Sequence, residues 1–302
     1  MTGHSPPAIL EPAETSDSNK QQFVAHSRLE VRFTSDGTDT CMLAVIQEPP
    51  WRAVRAFRNA QRQAVVHLHN VSGGILAGDL LSLSIEAEAA ARVQVTSVGA
   101  TRIYRQGSGD TIARLVTSIR VADDAMLEYL PDVTIPFAGS RFSQKTNVSL
   151  AKNAGFIGWD MLAAGRIASG EEFEFDLYAS EFSVYSNGRP IAIERYSLAP
   201  AIRDPTSVAR WGRFRYLATL YVCHSGVTQS IWDRLESQLN EIACADTSEA
   251  ARWGVSTLIS GGIIIRGLTM EAHQALDGLH KFWGLAKQEI WGESAMAPRK
   301  IN

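Results

Sequence analysis

The 302-residue chain has little cysteine: Cys41, Cys223 and Cys244 are scattered and odd in number. That excludes a disulfide framework and points to reduced thiols in a cytosolic setting. Long apolar runs are missing too. None approaches the ~20 residues a membrane span requires, and Ile263-Ile264-Ile265 is stopped by Arg266. The polar N-terminus lacks the charged-then-apolar form of a signal peptide. Charge of one sign is also lacking, with 29 Lys and Arg against 32 Asp and Glu, a net charge of −3. That balance gives no electrostatic ground for nucleic acid or an anionic membrane. A soluble cytoplasmic protein is the expectation. Its hydrophobic fraction of 45% supports a sizeable core, in one large β domain or two smaller ones.

Glycine is abundant where it matters. His67-Leu68-His69-Asn70-Val71-Ser72-Gly73-Gly74-Ile75-Leu76-Ala77-Gly78-Asp79 sets three glycines, a serine and a carboxylate between an apolar run and an alternating strand. Glycine reaches positive φ without steric cost, so a tight turn is expected that holds Asp79 at the mouth of the next strand.

Residues 1–27 are polar and aperiodic and read as a disordered or loosely attached arm. From Arg28 the period is two: Leu29, Val31 and Phe33 alternate with charged residues, and Asp36-Gly37 signals a turn. Short alternating segments then recur at about ten-residue spacing to residue 225, among them Phe142–Leu150, Phe156–Leu162, Phe173–Tyr178 and Phe182–Tyr185. Asn187-Gly188 is a strong hairpin signal. The fold class expected is mainly β, an irregular β-helical or sandwich-like body. Two helices follow near the C-terminus, Thr228–Ala243 and Thr269–Trp291, each with its threonine as cap. A single domain over 28–291 and a flexible tail over 292–302 complete the organisation.

Gly73-Gly74 and Gly78 superficially echo a phosphate loop. However, Asp79 and Leu80 stand where lysine and serine or threonine are needed, and a strand follows in place of a helix. His67 and His69 share a strand face but have no nearby third ligand, so a structural pair is the simpler reading. The carboxylates Asp79, Glu128, Asp132, Asp160, Glu171 and Glu194 lie at strand ends or among apolar neighbours and need partners. Arg102, Arg105, Arg166 and Arg195 are the candidates. There is no G-x-S-x-G elbow, and no cysteine has an electropositive setting. Asp160 with Asp79 or Glu128 would form a carboxylate pair for hydrolysis; a carbohydrate-binding module would need an exposed aromatic platform instead.

Five stretches match a known family when taken in order. They are Leu68 to Asp79, Thr96-Ser97-Val98-Gly99-Ala100-Thr101-Arg102-Ile103-Tyr104-Arg105, Leu127 to Phe137, Gly158-Trp159-Asp160 through Arg166, and Asn187-Gly188-Arg189-Pro190 through Arg195. In this order and spacing the chain resembles the urease accessory protein UreD (UreH) over about residues 28–291. Departures are mild: Ala77 precedes Gly78-Asp79 where glycine is usual, Val133 stands where proline is expected, and Trp159-Asp160 replaces the Trp-Glu of many members.

The resemblance implies a non-enzymatic scaffold for nickel delivery, with no permanently bound cofactor. Its partners would be urease apoprotein, the helical accessory protein UreF and, through UreF, the GTPase UreG. Carried over by motif, the nickel path would pass Asp79, Thr96, Thr101, Asp160 and Glu194. Oxygen ligands suit transit, because they release a divalent ion that a dense His/Cys cage would trap. Trp232, Trp253, Trp283 and Trp291, in or beside the late helices, are the candidate partner surface. The alternative is a β-rich carboxylate-dependent hydrolase or a carbohydrate-binding module.

Overall fold

The computed structural model describes residues 26–105 and 111–297; most of the N-terminal arm, residues 106–110, where Gly107-Ser108-Gly109-Asp110 reads in sequence as a turn, and the last five residues lie outside them. The chain opens with an antiparallel hairpin, β1 (His26–Ser35) and β2 (Thr40–Gln47), as its alternation predicts. Its first strand takes in the last two residues assigned to the arm, and the Ser27 hydroxyl donates to Glu48 O at 2.7 Å. Short strands β3 (Trp51–Ala53) and β4 (Phe57–Arg58) then pair with β5 (Ala64–Asn70).

From β5 the chain winds. It crosses to a first sheet at β6 (Leu80–Ala87), returns to a second at β7 (Arg92–Ser97), and turns a corner through β8 (Thr101–Ile103). The circuit repeats through β9 (Ala113–Val121), β10 (Met126–Leu130) and the corner strand β11 (Thr134–Pro136), then through β12 (Arg141–Leu150), β13 (Gly155–Ala163) and β14 (Leu177–Ser186). Successive coils pair parallel and in unbroken register: β6, β9, β12 and β14 in one sheet, and β5, β7, β10 and β13 in the other. This is a β-helical body with two broad faces. The corner strands make a third, narrow face in which Ile75, Ile103 and Pro136 lie side by side.

The expected strand at Phe173–Tyr178 begins only at Leu177. Ahead of it a 3-10 turn, an Arg166–Glu171 ion pair and Phe173 at φ +57° hold the chain in an irregular corner. Asn187-Gly188 joins β14 to β15 (Arg189–Leu198) with both residues at positive φ, as the hairpin signal predicts. β16 (Tyr216–His224) then pairs antiparallel with β13. After α1 (Gln229–Asp246), the hairpin β17 (Ala251–Thr257) and β18 (Gly262–Thr269) extends the second sheet, and α2 (Ala272–Trp291) follows.

Thr228 is the N-cap residue of α1 as expected, but its hydroxyl pairs with Ser230 and caps no backbone N–H. Thr269 ends β18, and α2 starts from a reciprocal Glu271–Gln274 capping box. Among the described residues no helix is long and apolar enough to cross a membrane.

One core fills the space between the sheets, with Leu29, Phe33, Leu83, Val93, Phe142 and Phe156 among its members. A second core lies where both helices pack on the outer face of β13, β16 and β18, around Ile157, Trp159, Leu220, Ile265 and Leu235. This second core corrects the expected partner surface: Trp232 and Trp283 are each 1% exposed and belong to it. Their rings face the sheet because they fall on the apolar stripe of each helix. Trp253 packs half-buried on Phe282, and Trp291 half-buried on His224.

Beneath the end of α2 lies a buried ion pair. Lys287 Nζ sits 3.0 Å from Glu128 Oε1, both side chains fully buried. Trp283 Nε1 and Gln94 Nε2 each donate to the Glu128 carboxylate at 2.9 Å, and Lys287 donates to Gln61 and Gln63 at 3.2 Å. The same cluster holds part of the expected flexible tail: Arg92 donates to both Glu293 oxygens at 2.6 Å, and Gln94 to Met296 O at 3.0 Å. Removing one partner of such a pair strands a buried charge, whereas replacing both with apolar groups costs little. Lys287→Met is therefore expected to lower unfolding stability by about 3–5 kcal/mol. Adding Glu128→Leu should recover most of that loss in the same denaturant titration; a Lys287→Met midpoint equal to wild type would refute the assignment.

Candidate functional site

The glycine-rich turn forms the first corner of the β-helix. Gly73 and Gly78 take φ +81° and +83°, the left-handed region that side chains disfavour. At Gly74 an added Cβ would lie 2.7 Å from Arg102 O and 2.5 Å from the Tyr104 ring. Glycine is needed because Ile75 N–H bonds Arg102 O at 2.8 Å and Tyr104 N–H bonds Ile75 O at 2.9 Å, drawing the next coil against the turn. Asp79 is 2% exposed, and its Oδ2 accepts the Leu76 N–H at 2.9 Å. Its backbone oxygen accepts the Arg114 N–H at 2.7 Å. The carboxylate thus helps close the turn that presents it.

Against this corner lies a cavity of about 320 Å³, lined by Asn70, Gly74, Thr96, Thr101 and Tyr129 among others. A smaller one of about 40 Å³ shares Thr101, Leu115, Tyr129 and Pro131 with it, and reaches Gln144, Thr146 and Asp160. The larger opens at the corner among exposed residues such as Val71 and Val98, and the smaller lies behind it between the sheets.

Register explains why polar groups collect there. In-register parallel strands stack like positions of successive coils. One inward row of the first sheet reads Leu81, Leu115, Gln144, Ser180 and Tyr196; the next reads Leu83, Thr117, Thr146, Phe182 and Glu194. Both rows begin apolar at β6 and become polar towards β15. Opposite them, Tyr129 and Asp160 point inward from β10 and β13. Gln144 bridges the sheets, donating to Asp160 Oδ2 at 2.7 Å and to Ser180 Oγ at 3.2 Å. Glu194 ends the file: Arg266 Nε donates to it at 2.9 Å, and the Tyr221 hydroxyl donates to its other oxygen.

Electrostatics follow from this enclosure. Burial pushes the Asp160 carboxyl up to about 6, helped by the negative charge of Glu194 and opposed by the Gln144 hydrogen bond. Burial likewise raises the Tyr129 hydroxyl to about 12, and burial with the Asp160 charge raises Tyr178 and Tyr196 well above the ordinary range. The file is a polar, water-sized interior holding one carboxylate poised near neutrality.

Of the sequence-predicted site residues, Thr96 and Thr101 line the larger cavity and Asp160 the smaller, where Thr101 recurs. Thr96 spends its hydroxyl on Leu130 O at 2.7 Å. Asp79 and Glu194 flank this stretch without lining either cavity, one in the entry corner and one at the far end. Sequence reasoning missed Thr117, Gln144, Thr146 and Ser180. Strand parity could have found them, since each shares the inward parity of buried residues such as Ile119, Phe142, Val148 and Val184. Glu194 pairs with Arg266 while Arg195 serves Glu181, and Glu171 takes Arg166, one of the candidate arginines.

The carboxylate pair of the hydrolase reading is not assembled. Glu128 lies in the helix-covered ion pair on the outer face of β10, and Asp160 points inward. Phe57 is the one aromatic among the exposed large hydrophobic residues described, which leaves no carbohydrate platform there. His67 packs edge-on against Phe57 and His69 lines the larger cavity. Among the described residues no group of three His, Cys, Asp or Glu is placed to hold a metal ion. The cysteines are free, Cys223 buried and the others exposed.

Two stability predictions follow from this geometry. Gly74→Ala should cost about 1–3 kcal/mol through forced backbone movement, with Gly37→Ala, where a Cβ meets nothing within 4 Å but φ is +90°, reporting backbone strain alone. The Asp160 carboxyl is harder to ionise folded than unfolded, so its contribution to stability is lost as pH rises from 3.8 through about 6. Asp160→Asn should therefore be more stable than wild type above pH 6, by at most about 3 kcal/mol. The gap should close below pH 4; parallel pH curves for the two proteins would refute it.

A profile of the UreD urease accessory protein family matches residues 25–302. Urease accessory protein UreD of Herpetosiphon aurantiacus is 38% identical over 277 residues, 91% of this chain and 96% of that protein. The UreD of Dechloromonas aromatica is 32% identical over 285 residues, covering 92% and 94% of the two chains. UreD 2 of Brucella abortus is 30% identical over 227 residues, 74% and 73% of the two. On the match along nearly its whole length, the chain belongs to the UreD family of urease accessory proteins.

Proposed function

We propose that this protein is a non-enzymatic urease maturation factor of the cytoplasm. It binds urease apoprotein and a UreF-type accessory protein, through which a UreG-type GTPase is recruited, and it passes nickel towards the urease active site. The observation that carries the reading is the polar file inside the β-helix. Two adjoining cavities lead from the glycine corner to Asp160, and the stacked rows continue to Glu194.

The chemistry suits cargo in transit. Its donors are hydroxyl, amide and carboxylate oxygens, and no dense His/Cys cage lies among the described residues. Such ligands bind a divalent cation weakly enough to let it go. A carboxyl near neutrality takes its charge as the cation approaches and offsets that cation's loss of hydration. The rows also keep the path from closing, because apolar packing cannot satisfy Gln144, Ser180 and Asp160.

The test is co-expression with urease and the other accessory proteins, measuring nickel per urease active site and co-purification of the complex. Asp160→Ala should lower nickel loading several-fold while the complex still forms. Asp79→Ala should lower loading too, with a reduced melting temperature because it opens the Leu76–Asp79 turn. Full nickel loading in Asp160→Ala would remove the path from the mechanism, and wild-type protein that retains no urease apoprotein would remove the scaffold.

A further inference from the structure

The connection between β15 and β16 spans residues 199–215 without a helix or strand. Connections of this length in compact domains are uncommon; they are functional loops or unstructured ones. This one is firmly built. Trp211 and Pro205 are buried at its base, with Trp211 set edge-on against Phe173 at 5.1 Å. Asp204 Oδ1 accepts the Thr206 N–H at 2.8 Å and its hydroxyl at 2.7 Å, and Arg210 closes the loop onto Asp204 O at 2.6 Å.

On this rigid base stand two bare aliphatic side chains, Ile202 at 85% exposure and Val208 at 98%. Single surface aliphatics are ordinary. Two on one hydrogen-bonded loop, held out almost completely, present preorganised apolar knobs whose ordering cost is already met. Of its four arginines, Arg210 closes onto Asp204 O, Arg213 pairs with Glu249 and Arg215 with Glu172, so Arg203 is the cation the loop leaves open. A partner that fits therefore offers apolar pockets with a carboxylate placed for Arg203. Position adds to this: the loop begins directly after the strand that bears Glu194, the last residue of the polar file.

We propose that residues 199–215 form a protein-docking loop that seats Ile202 and Val208 in apolar pockets of urease apoprotein, beside a carboxylate that meets Arg203. The choice of partner rests on the maturation function proposed above, because urease is the protein that the family serves.

The test measures binding of the full chain to purified urease apoprotein for wild type, Ile202→Asp/Val208→Asp and a control pair, Leu43→Asp/Val45→Asp, exposed on β2. The loop pair should weaken binding at least about tenfold with an unchanged melting curve, and the control pair should bind as wild type. Arg203→Glu should slow association and flatten its salt dependence. If Ile202→Asp/Val208→Asp misfolds, Ile202→Ser/Val208→Ser replaces it. Wild-type affinity in the loop pair, or equal loss in the control pair, would overturn the docking loop while leaving the maturation reading intact. Loss of a UreF-type partner in place of urease would overturn the choice of partner. Wild-type protein that never binds urease apoprotein would overturn the maturation reading and this inference with it.

Discussion

In-register parallel pairing between successive coils is the constraint on which the rest of the structure depends. Once β6, β9, β12 and β14 stack without offset, every inward position of one coil lies beside the equivalent position of the next. A residue choice repeated at one place in consecutive strands becomes a continuous row. Apolar rows make the core, seen in Ile85, Ile119, Val148 and Val184. Polar choices two or four residues earlier on the same strands make an interior file. A one-residue slip would turn that file to the solvent side and the charged outer face inward, so register and site are one property.

Such a file costs stability, since polar groups packed between sheets must find partners or water. The structure meets this locally. Gln144 ties Asp160 to Ser180, while Arg266 and Tyr221 hold Glu194. The Phe182 and Tyr221 rings stack face to face, 4.1 Å apart, and bound the file on the β15 side. Asp160 is left with two neutral donors, the Gln144 amide and the Met161 N–H, and its raised pKa records that incomplete compensation. Glu128 shows the contrast on the opposite face of the second sheet: a carboxylate buried more completely has Lys287, Trp283 and Gln94 around it.

Much of this was legible in the sequence. Period-two alternation located most strands, Asn187-Gly188 gave its hairpin, and the family resemblance matched what the comparisons found. The misses share one cause: local pattern carries no information about long-range partners. Phe173–Tyr178 alternates well, but the Arg166–Glu171 pair and the Trp211 ring claim its first residues for a corner. Thr269 looks like a cap, yet β18 pairs through it. Trp232 and Trp283 read as surface candidates because the helices were taken without the sheet they cover. The Glu128–Lys287 pair joins positions far apart in sequence that no spacing rule connects.

The glycine corner ties these threads together. Its glycines are required by the approach of the Arg102 and Tyr104 backbone, the same contact that starts the third face and holds the first coil open as a cavity. Asp79 secures the corner from within, so a residue expected to face the path also maintains its shape. The carboxylate with freedom to respond is Asp160, deeper in, where the enclosure that the corner begins raises its proton affinity. Shape at one end and charge at the other are consequences of one stacked register, and under the proposed function neither works alone. A rigid corner without Asp160 would admit a cation and give it no counter-charge. An Asp160 in open solvent would stay ionised near neutral pH and hold no distinction between an empty path and an occupied one.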